Sequence, residues 1–496
     1  MWAAFIVTGM CTSILGSDVV KVGVLLPSSG NYPWVIQKTL PALQIAIEQL
    51  SKSTDILPNH LLQLAIRDSK CSGTEGPLEA IDLYKTSNAH VFIGPACDYA
   101  VAPVARFSKR WGIPVVTAGA LVSAFHDKSE YKLLTRMIGP YNKVGEFVLS
   151  ILTHFKWQHV GILYPDHTYG PNKGKSSCFF QAEAVYMALK KAFPVRPWHK
   201  SFSPTLGDDQ LKALLQEAIN NTRVILLCAS PDTVRNIMIQ FAQLGLDNGE
   251  FVVINLDMFS NWKSGSSIPW FRGSDTTERN TQAKKAYESV MTVTHRHPAS
   301  AEFATFSKEV RRRGSSLYPD YVYDEEEVNL FVGAFHDAVF LYAISLHETL
   351  ESGGNVTDGV AITSRMWNRT FRGITGTVTI DSNGDRDSDY SLLDLDPSTG
   401  KLEVVSNYFG NRKRYEPVAG RMIHWAGGKT SPPPDVPKCG FDGAKCQQPE
   451  DQSDEGFPQY GIVIIVLGSI LLLVLVAALL IYRWKFSNYY AMSHST

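Results

Sequence analysis

The feature that most constrains how this chain can fold is an uncharged run near its C-terminal end. Residues 461–482 read GIVIIVLGSILLLVLVAALLIY, 22 positions without a charged side chain. A bilayer core takes about 20 apolar residues at helical rise, and only a helix or a closed barrel satisfies its backbone hydrogen bonds in lipid. The run therefore predicts one transmembrane helix that divides the chain into parts on opposite sides of a membrane.

Charges on either side of this run predict its orientation. Arg483 and Lys485 follow it directly, whereas four acidic residues lie between positions 450 and 455. Basic residues favour the cytoplasmic side, so residues 483–496 are expected to form a cytoplasmic tail, with the N-terminal part outside the plasma membrane. A catalytic domain needs on the order of 100 residues to bury a core, and this tail has 14. We therefore expect no enzyme on this chain.

The N-terminal residues predict secretion. Residues 1–16 are short, apolar and end in small residues, as a cleavable signal peptide does, although they contain no Lys or Arg. Residues 17–430 are then a secreted-type ectodomain, and residues 431–460, which begin with a proline-rich stretch, form a juxtamembrane linker. Secretion makes glycosylation an expectation at Asn-x-Thr sequons on exposed turns. These sequons are at Asn220, Asn355 and Asn368.

Cysteine usage predicts disulfides in the ectodomain and the linker. The chain has seven cysteines, and removal of Cys11 with the signal peptide leaves six in an oxidising compartment. Six cysteines leave 15 pairings open, and pairing of sequence neighbours keeps each bridge within one local unit. The pairs predicted in this way are Cys71–Cys97, Cys178–Cys228 and Cys439–Cys446. Buried free thiols are the alternative.

Apolar runs of strand type alternate with runs of helical periodicity along the ectodomain. Val19–Pro27 is a continuous apolar run, as buried parallel strands are, and Thr39–Leu50 follows with helical spacing. Two such series predict a two-lobed α/β ectodomain with its ligand at the cleft or rim between the lobes. A long helical pattern returns late in the chain, which suits several crossings between lobes. The predicted lobes are residues 17–142 with 325–365, and residues 143–324 with 366–430.

Two local patterns predict how particular elements begin or turn. Ser230 followed by Pro231 is typical of a helix start, because proline suits the first helical turn. The Asn-Gly pair within residues 381–385 predicts a β-hairpin between strands at 376–380 and 390–395. Both patterns lie in the predicted second lobe.

Motifs for catalysis or metal binding are incomplete. Residues 170–176 resemble a phosphate-binding loop but place three residues rather than four between the glycines, so we interpret them as a flexible loop. His347-Glu348 lacks the second histidine of a zinc-protease helix. On their apolar helix, His336 and His347 fit packing positions better than metal ligands. We predict no catalytic residues, no metal site and no required cofactor.

The charge composition argues against nucleic acid as a partner. The chain has 47 Lys and Arg against 48 Asp and Glu, and no long basic stripe is interleaved with aromatic residues. Two short basic runs, residues 311–313 and 412–414, are interpreted as solvated charges at a helix end or in a loop, in preference to a binding patch.

Several ordered segments resemble the natriuretic peptide receptors. They are GPACDYAVAPVARF (94–107), FVGAFHDA (331–338), MWNRTF (366–371), TIDSNGDR (379–386) and VPKCGFD (436–442). The similarity covers essentially the whole ectodomain, and LCASPDTVRNIM (227–238) is most similar to the type C, or clearance, receptor. The resemblance implies a type I periplasmic-binding-protein fold and the disulfide pairing given above. It also implies a homodimer that binds one ring-shaped peptide hormone between its two chains.

Matching positions of the family imply a set of peptide contacts. They are Tyr99, Arg106, Tyr131, Tyr164, Phe179, Phe180 and Glu183. Aromatic rings offer rigid contact area with a polar handle, and Glu183 suits pairing with a peptide arginine. Core packing is the alternative for one of Phe179 and Phe180.

The sequence also departs from the family pattern. Ala96 stands where chloride-binding receptors have a glycine before the cysteine, so bound chloride near Ala96 and Cys97 stays an open alternative. The pair Cys439 and Cys446 resembles the guanylate-cyclase receptors, whereas the short tail resembles the clearance type. The tail has only two basic residues, which gives little support for G-protein coupling.

The leading hypothesis is a non-enzymatic, membrane-anchored receptor that clears or sequesters a natriuretic-type peptide hormone. One alternative is a truncated receptor guanylate cyclase that modulates signalling by heterodimerisation or G-protein coupling. Another is a receptor that binds a small metabolite in the interlobe cleft.

Overall fold

A computed structural model describes residues 18–166, 174–260, 268–323, 327–447 and 459–492. The predicted signal peptide and residues 170–173 of the predicted flexible loop lie outside the described residues. The chain forms two compact units, with the boundary between Pro437 and Lys438.

Strands and helices alternate through much of the first unit. The strands are β1 (Asp18–Leu26), β2 (His60–Asp68), β3 (Val91–Ile93), β4 (Val115–Thr117), β5 (Leu134–Arg136), β6 (Val160–Pro165), β7 (Trp198–Phe202), β8 (Val224–Leu227), β9 (Val252–Leu256), β10 (Val290–His295), β11 (Arg369–Gly373), β12 (Gly376–Ile380), β13 (Tyr390–Leu395), β14 (Leu402–Phe409) and β15 (Arg414–Pro417). The helices are α1 (Ile36–Ser51), α2 (Glu75–Thr86), α3 (Asp98–Trp111), α4 (Tyr141–Phe155), α5 (Ser177–Ala192), α6 (Asp208–Ile219), α7 (Pro231–Gln243), α8 (Thr277–Ala286), α9 (Ala301–Leu317), α10 (Leu330–Glu351) and α11 (Gly359–Met366). Ser230 caps α7 by accepting the N–H of Thr233, and Pro231 opens the helix, as predicted.

The first lobe is built on a five-stranded parallel sheet in the order β2-β1-β3-β4-β5. Its inner strands are buried on both faces: Val22 and Val24 of β1 are almost inaccessible, as are all residues of β3 and β4. A continuous apolar run is what a parallel strand between two layers of helices requires. The strand predicted from Val19–Pro27 is therefore confirmed.

The second lobe is built on an eight-stranded mixed sheet in the order β15-β14-β13-β10-β9-β8-β6-β7. The predicted Asn-Gly hairpin is wrong, because β12 pairs with β11, whereas β13 pairs with β10 and β14. The Asp381 carboxylate accepts the N–H groups of Asn383 and Asp385 and so forms a tight turn. After this turn the chain leaves for the second lobe and does not fold back on β12.

The predicted lobe boundary at residue 324 is wrong, because α9, which precedes it, packs on the first lobe. Phe303, Phe306 and Val310 of α9 form a buried cluster with Ala42 and Ile45 of α1. The apolar face of α9 therefore covers the first lobe. The chain returns to this lobe soon after β10 and not near residue 325.

A buried ion pair attaches the crossing segment after β12 to the first lobe. The Arg136 guanidinium, at the end of β5, donates to both carboxylate oxygens of Asp385 at 2.7 Å each. It also donates to the carbonyls of Ala120 and Val122 at 3.0 Å each, and neither Arg136 nor Asp385 is accessible to solvent. The Lys128 ammonium lies 3.5 Å from the same carboxylate. Two cations thus hold the turn after β12 on the first lobe.

The last residues of the first unit are attached to the second lobe. Trp157 follows α4, is fully buried, and donates its indole N–H to the carbonyl of Pro433 at 2.9 Å. The Asp435 carboxylate accepts the backbone N–H groups of Gln158 and His159 at 2.7 and 2.8 Å. The segment that leaves the ectodomain is therefore anchored beside the C-terminal end of α4.

Disulfides join the three predicted cysteine pairs. Cys71 bonds Cys97 in the first lobe, and Cys178 bonds Cys228 in the second. Cys439 bonds Cys446 in the second unit. The predicted pairing is confirmed.

The second unit contains two helices, α12 (Ala444–Gln447) and α13 (Gln459–Met492). Within residues 463–485 of α13, an 18-residue stretch has a mean hydropathy of 3.3 and is not buried, so the helix is long and apolar enough to cross a membrane. Helix α10 passes the same length and composition test, but 16 of its 22 residues are buried. It is a core helix of the first lobe.

Candidate ligand-binding face

An aromatic row crosses from one lobe to the other. Tyr99 lies in the first turn of α3 and is 49% exposed. Its hydroxyl accepts the N–H of Lys175, which precedes α5, at 2.6 Å and lies 3.3 Å from the carbonyl of the same residue. Its ring centroid lies 6.4 Å from that of Phe180 in α5. The two lobes therefore present adjoining aromatic surface.

The start of α5 supplies the centre of this row. Ser176 caps the helix by accepting the N–H of Phe179 at 3.1 Å, which fixes both phenylalanines in the first turn. The Phe179 ring lies 5.5 Å from Phe180 and 5.9 Å from Tyr164, and the Lys175 ammonium lies 4.6 Å from its centroid, in a cation–π contact. Phe180 also packs against the buried core, so it has part of the packing role that the sequence left open for one of the pair.

The row ends on the edge strand β7. Tyr164, at the end of β6, is partly buried, and burial raises the pKa of its hydroxyl. Its ring lies 6.5 Å from that of His199 on β7, and His199 in turn lies 5.2 Å from Tyr186. His199, Tyr186 and Lys175 were not predicted as site residues. Tyr186 lies seven residues after Phe179, close to two turns along α5, and this spacing is the one sequence signal that could have indicated it.

Glu183 lies one turn after Phe179 and is exposed. Among the described residues, no cation lies within ion-pair distance of its carboxylate. An open groove of about 1600 Å³ begins beside Glu183 and runs along α4 and α5. Its walls include Met187, which is 56% exposed, and His154. An available carboxylate beside an apolar groove suits a ligand that carries a cation next to apolar groups.

Arg106 and Tyr131 form a separate pair on the first lobe. Arg106 lies seven residues after Tyr99 in α3, so the two share a helix face. Its guanidinium donates to the Tyr131 hydroxyl at 2.8 Å, lies 5.2 Å from the centroid of that ring, and pairs with Glu130. Tyr131 is 4% exposed, and burial raises the pKa of its hydroxyl. Arg106 is therefore the exposed member of the pair, with Tyr131 behind it.

The structure brings five of the seven predicted contact residues into one surface. They are Tyr99, Tyr164, Phe179, Phe180 and Glu183. Arg106 and Tyr131 lie along α3 from this group. Contact of all seven with a peptide stays a prediction.

The predicted glycosylation sites and the predicted chloride position lie within the described residues. Asn220, Asn355 and Asn368 are all exposed. Ala96 is buried, and its carbonyl accepts the N–H of Ala120 at 3.0 Å. Glycosylation, and chloride beside Ala96 and Cys97, stay predictions.

The predicted packing histidines lie on α10. The His336 ring nitrogens lie 2.9 Å from the Gln49 side-chain oxygen and 3.1 Å from an Asp337 carboxylate oxygen. The His347 ring lies 3.4 Å from Glu351. Within the part of the chain that the structure describes, no three His, Cys, Asp or Glu side chains are placed to hold a metal ion.

Two α/β lobes joined by several crossings, with an aromatic row at their rim, define a ligand-binding head of the periplasmic-binding-protein type. The family described as "Receptor family ligand binding region" matches residues 38–398. The chain belongs to the natriuretic peptide receptor family within this group of receptors, and its role is that of a receptor ligand-binding chain.

Three relatives illustrate the range of this similarity. Atrial natriuretic peptide receptor 3 of Rattus norvegicus is 34% identical over 423 residues, 83% of this chain and 76% of the relative. Receptor-type guanylate cyclase gcy-28 of Caenorhabditis elegans is 33% identical over 514 aligned positions, 94% of this chain and 39% of the relative. Atrial natriuretic peptide receptor 2 of Rattus norvegicus is 30% identical over 485 positions, 94% of this chain and 44% of the relative. The chain thus spans less than half the length of the last two.

Proposed function

We propose that this chain is a cell-surface receptor that binds a natriuretic-type peptide hormone at the aromatic row, with its N-terminus outside the cell. The observation that carries the proposal is the contact of Tyr99 with Lys175 and Phe180, which joins both lobes into one aromatic surface. Glu183 adds an available carboxylate one turn along α5. Rigid aromatic anchors beside a charged group are typical of peptide-binding hot spots.

The chain is proposed to act as a homodimer. On the first lobe, α2 and α3 expose an apolar patch formed by Leu78, Tyr84, Phe107 and Trp111. Leu78 is 56% exposed, Tyr84 is 39% exposed, and Tyr84 stacks on Trp111 with centroids 4.5 Å apart. Contiguous exposed aromatic groups of this kind mark protein interfaces.

The dimer proposal is tested by the oligomeric state of the full-length receptor. Tyr84→Glu should shift chemically crosslinked receptor from dimer to monomer, because a charge would be buried at the interface. Val360→Glu is a matched control, since Val360 is 49% exposed on α11 outside the patch. Equal dimer yield in both variants contradicts this interface.

We infer that the receptor removes hormone from the cell surface. It is supported by the likeness of residues 227–238 to the clearance-type receptor and by the similarity to atrial natriuretic peptide receptor 3. The chain would act by binding and internalising its ligand, without a catalytic step of its own.

Saturation binding on cells that lack other natriuretic peptide receptors tests the proposal. Labelled disulfide-ringed natriuretic peptides should bind the full-length chain saturably and enter the cell. Glu183→Gln should weaken binding by about 1.5–3 kcal/mol, roughly tenfold to a hundredfold, through loss of a charge-assisted contact. Glu217→Gln is the matched control, because Glu217 is a half-exposed acid of α6 that pairs with Lys200. An absence of saturable binding across the peptide panel would refute the proposal.

Modulation of a cyclase receptor is the second candidate. It is favoured by the Cys439–Cys446 bridge, which resembles the guanylate-cyclase receptors, and by similarity over 94% of this chain to gcy-28. Co-expression with a full-length receptor guanylate cyclase separates the two functions. A heterodimer would lower hormone-stimulated cyclic GMP even when uptake is blocked, whereas clearance alone would lose its effect with uptake.

A further inference from the structure

A cavity of about 300 Å³ lies where the chain crosses between the lobes. Four segments line it: residues 296–298 after β10, 375–379 in the β11–β12 hairpin, 386–389 before β13, and 409–412 at the end of β14. Leu330, the first residue of α10, completes the wall. None of these residues belongs to the aromatic row, so the cavity is separate from it.

Arg386 lies deepest in this cavity. It is 6% exposed, and burial lowers the pKa of its guanidinium. It donates to the carbonyl of Met137 at 3.2 Å and to the Thr375 hydroxyl at 3.0 Å. Within the described residues no carboxylate lies within 4 Å of it, and a guanidinium has five N–H donors. The Asp337 carboxylate attracts Arg386 but does not form an ion pair with it, so N–H donors remain for a further partner.

Arg296 and Arg412 lie nearer to solvent, and Phe409 positions them. Their side chains are 43% and 54% exposed. Their guanidinium carbons lie 5.2 and 4.4 Å from the Phe409 ring centroid. A cation–π contact orders a guanidinium without neutralising it. Arg412 also lies 3.6 Å from Glu416, longer than a hydrogen bond.

Two aspartates line the cavity and leave its charge positive. The Asp387 carboxylate lies 2.7 Å from the Lys143 ammonium, which neutralises it. Asp389 lies 3.6 Å from Arg296, and burial raises the pKa of its carboxyl group. Of the groups that line the cavity, Asp389 is thus the one carboxylate without a lysine partner, and it lies among three guanidinium groups. Outside the lining, Asp337 attracts Arg386 and Glu416 attracts Arg412. A site with this imbalance favours an anion.

We propose that this cavity binds a small oxyanion, of the carboxylate or phosphate class, between Arg386 inside and Arg296 and Arg412 at its mouth. Planar guanidinium groups match the oxygen pairs of carboxylates and phosphates and hold them with charge-assisted hydrogen bonds. The volume suits a small metabolite. This site goes beyond the peptide-binding function and does not depend on it.

An anion bound there would contact both lobes. The hairpin at 375–379 is fixed to the first lobe, because Asp337 of α10 accepts the N–H groups of Ile374 and Thr375. Phe409 is the last residue of β14 in the second-lobe sheet, and Arg412 lies in the turn that follows it. The bound anion would therefore oppose separation of the lobes. Any effect on hormone affinity would be matched by an equal effect of hormone on anion affinity.

Isothermal titration of the full-length receptor in lipid nanodiscs tests the site. Sodium succinate and sodium phosphate are the probes, each at constant ionic strength, and sodium chloride is the control for charge screening. Arg412→Gln should weaken binding by about tenfold or more through loss of a charge-assisted hydrogen bond. Arg414→Gln is the matched control, since Arg414 is 69% exposed, lies 3.4 Å from the same Glu416, and does not line the cavity.

Saturable binding of either probe, reduced by Arg412→Gln and unchanged by Arg414→Gln, supports the proposal. A preference for succinate or for phosphate then assigns the class of oxyanion. Three results would overturn it: no saturable heat with either probe up to about 10 mM, an equal response to chloride, or equal losses in the two variants. Both substitutions are at exposed positions, so misfolding does not mask the outcome.

Discussion

Replacement of Asp385 by asparagine removes one charge from the crossing between the lobes and changes the side-chain shape very little. Asp385 is inaccessible to solvent and accepts two hydrogen bonds from Arg136 at 2.7 Å. Burial alone would raise the pKa of its carboxyl group, but attraction to Arg136, the hydrogen bonds from Arg136 and attraction to Lys128 together hold this pKa far below the usual range. Asp385 is therefore ionised at neutral pH.

The size of the effect follows from what is left behind. The neutral amide of Asp385→Asn would leave the Arg136 guanidinium buried without a counter-ion, and the Lys128 ammonium 3.5 Å away would lose the same partner. Breaking a buried ion pair by removing one member costs about 3–5 kcal/mol. The hydrogen bonds from Arg136 to the Ala120 and Val122 carbonyls remain in the variant, so these two carbonyls add nothing to the cost. We expect a cost of about 3–5 kcal/mol in the free energy of unfolding.

Urea unfolding of the ectodomain, residues 18–437, followed by tryptophan fluorescence measures this cost as a shift in midpoint at unchanged slope. Glu217→Gln is the control: its ion pair with Lys200 is about half exposed on both sides, and such surface pairs contribute about 0–1 kcal/mol. If Asp385→Asn costs no more than Glu217→Gln, the argument that this pair holds the crossing together is refuted.

Three further predictions concern stability. Replacing Cys178 and Cys228 by serine should lower the free energy of unfolding by about 4 kcal/mol, from loop-closure entropy at a separation of 50 residues, read from the urea midpoint under non-reducing conditions. Gly145→Val should cost about 1–3 kcal/mol in the same assay, because a new Cβ would lie 3.1 Å from the Ala184 carbonyl oxygen where α4 packs on α5. Burial lowers the pKa of Lys128 from 10.5 to about 8. Between about pH 8 and 10.5 the unfolded chain binds one more proton than the folded chain, so the free energy of unfolding should rise with pH, and Lys128→Met should flatten this rise in a series of melting temperatures. The predictions for the cysteine variant and for Gly145→Val fail if their urea midpoints match that of the wild type.

The fold was predictable where one periodicity governs a segment. The buried strands β1, β8 and β9 are continuous apolar runs, and the capped start of α7 is a local signal. Strand β7 was missed because it is an edge strand with three of its five side chains exposed. The Asn-Gly hairpin failed for a tertiary reason, since the carboxylates at the ends of that turn bind Arg136 and Lys143 of distant segments.

The site was predictable only in part. The resemblance indicated Tyr99, Phe179 and Glu183, but periodicity could not show that Tyr99 reaches Lys175 across the lobes. The basic run at 412–414 was interpreted as solvated, and all three of its side chains are at least half exposed. That interpretation could not include the Phe409 ring beneath Arg412, because the contact depends on how β14 ends beside the crossing.

The attachment of Pro433 and Asp435 beside α4 limits how a signal could leave the ectodomain. The departing chain is part of the second lobe mechanically, so it would follow any rotation of that lobe. In the proposed homodimer, a rotation of one second lobe relative to that of the partner subunit would reposition the two departing chains by the same rotation. Movement of the first lobe alone would leave them in place. A rotation of the second lobe would therefore be passed directly to the segment that leaves the ectodomain, whereas a rotation of the first lobe alone would not.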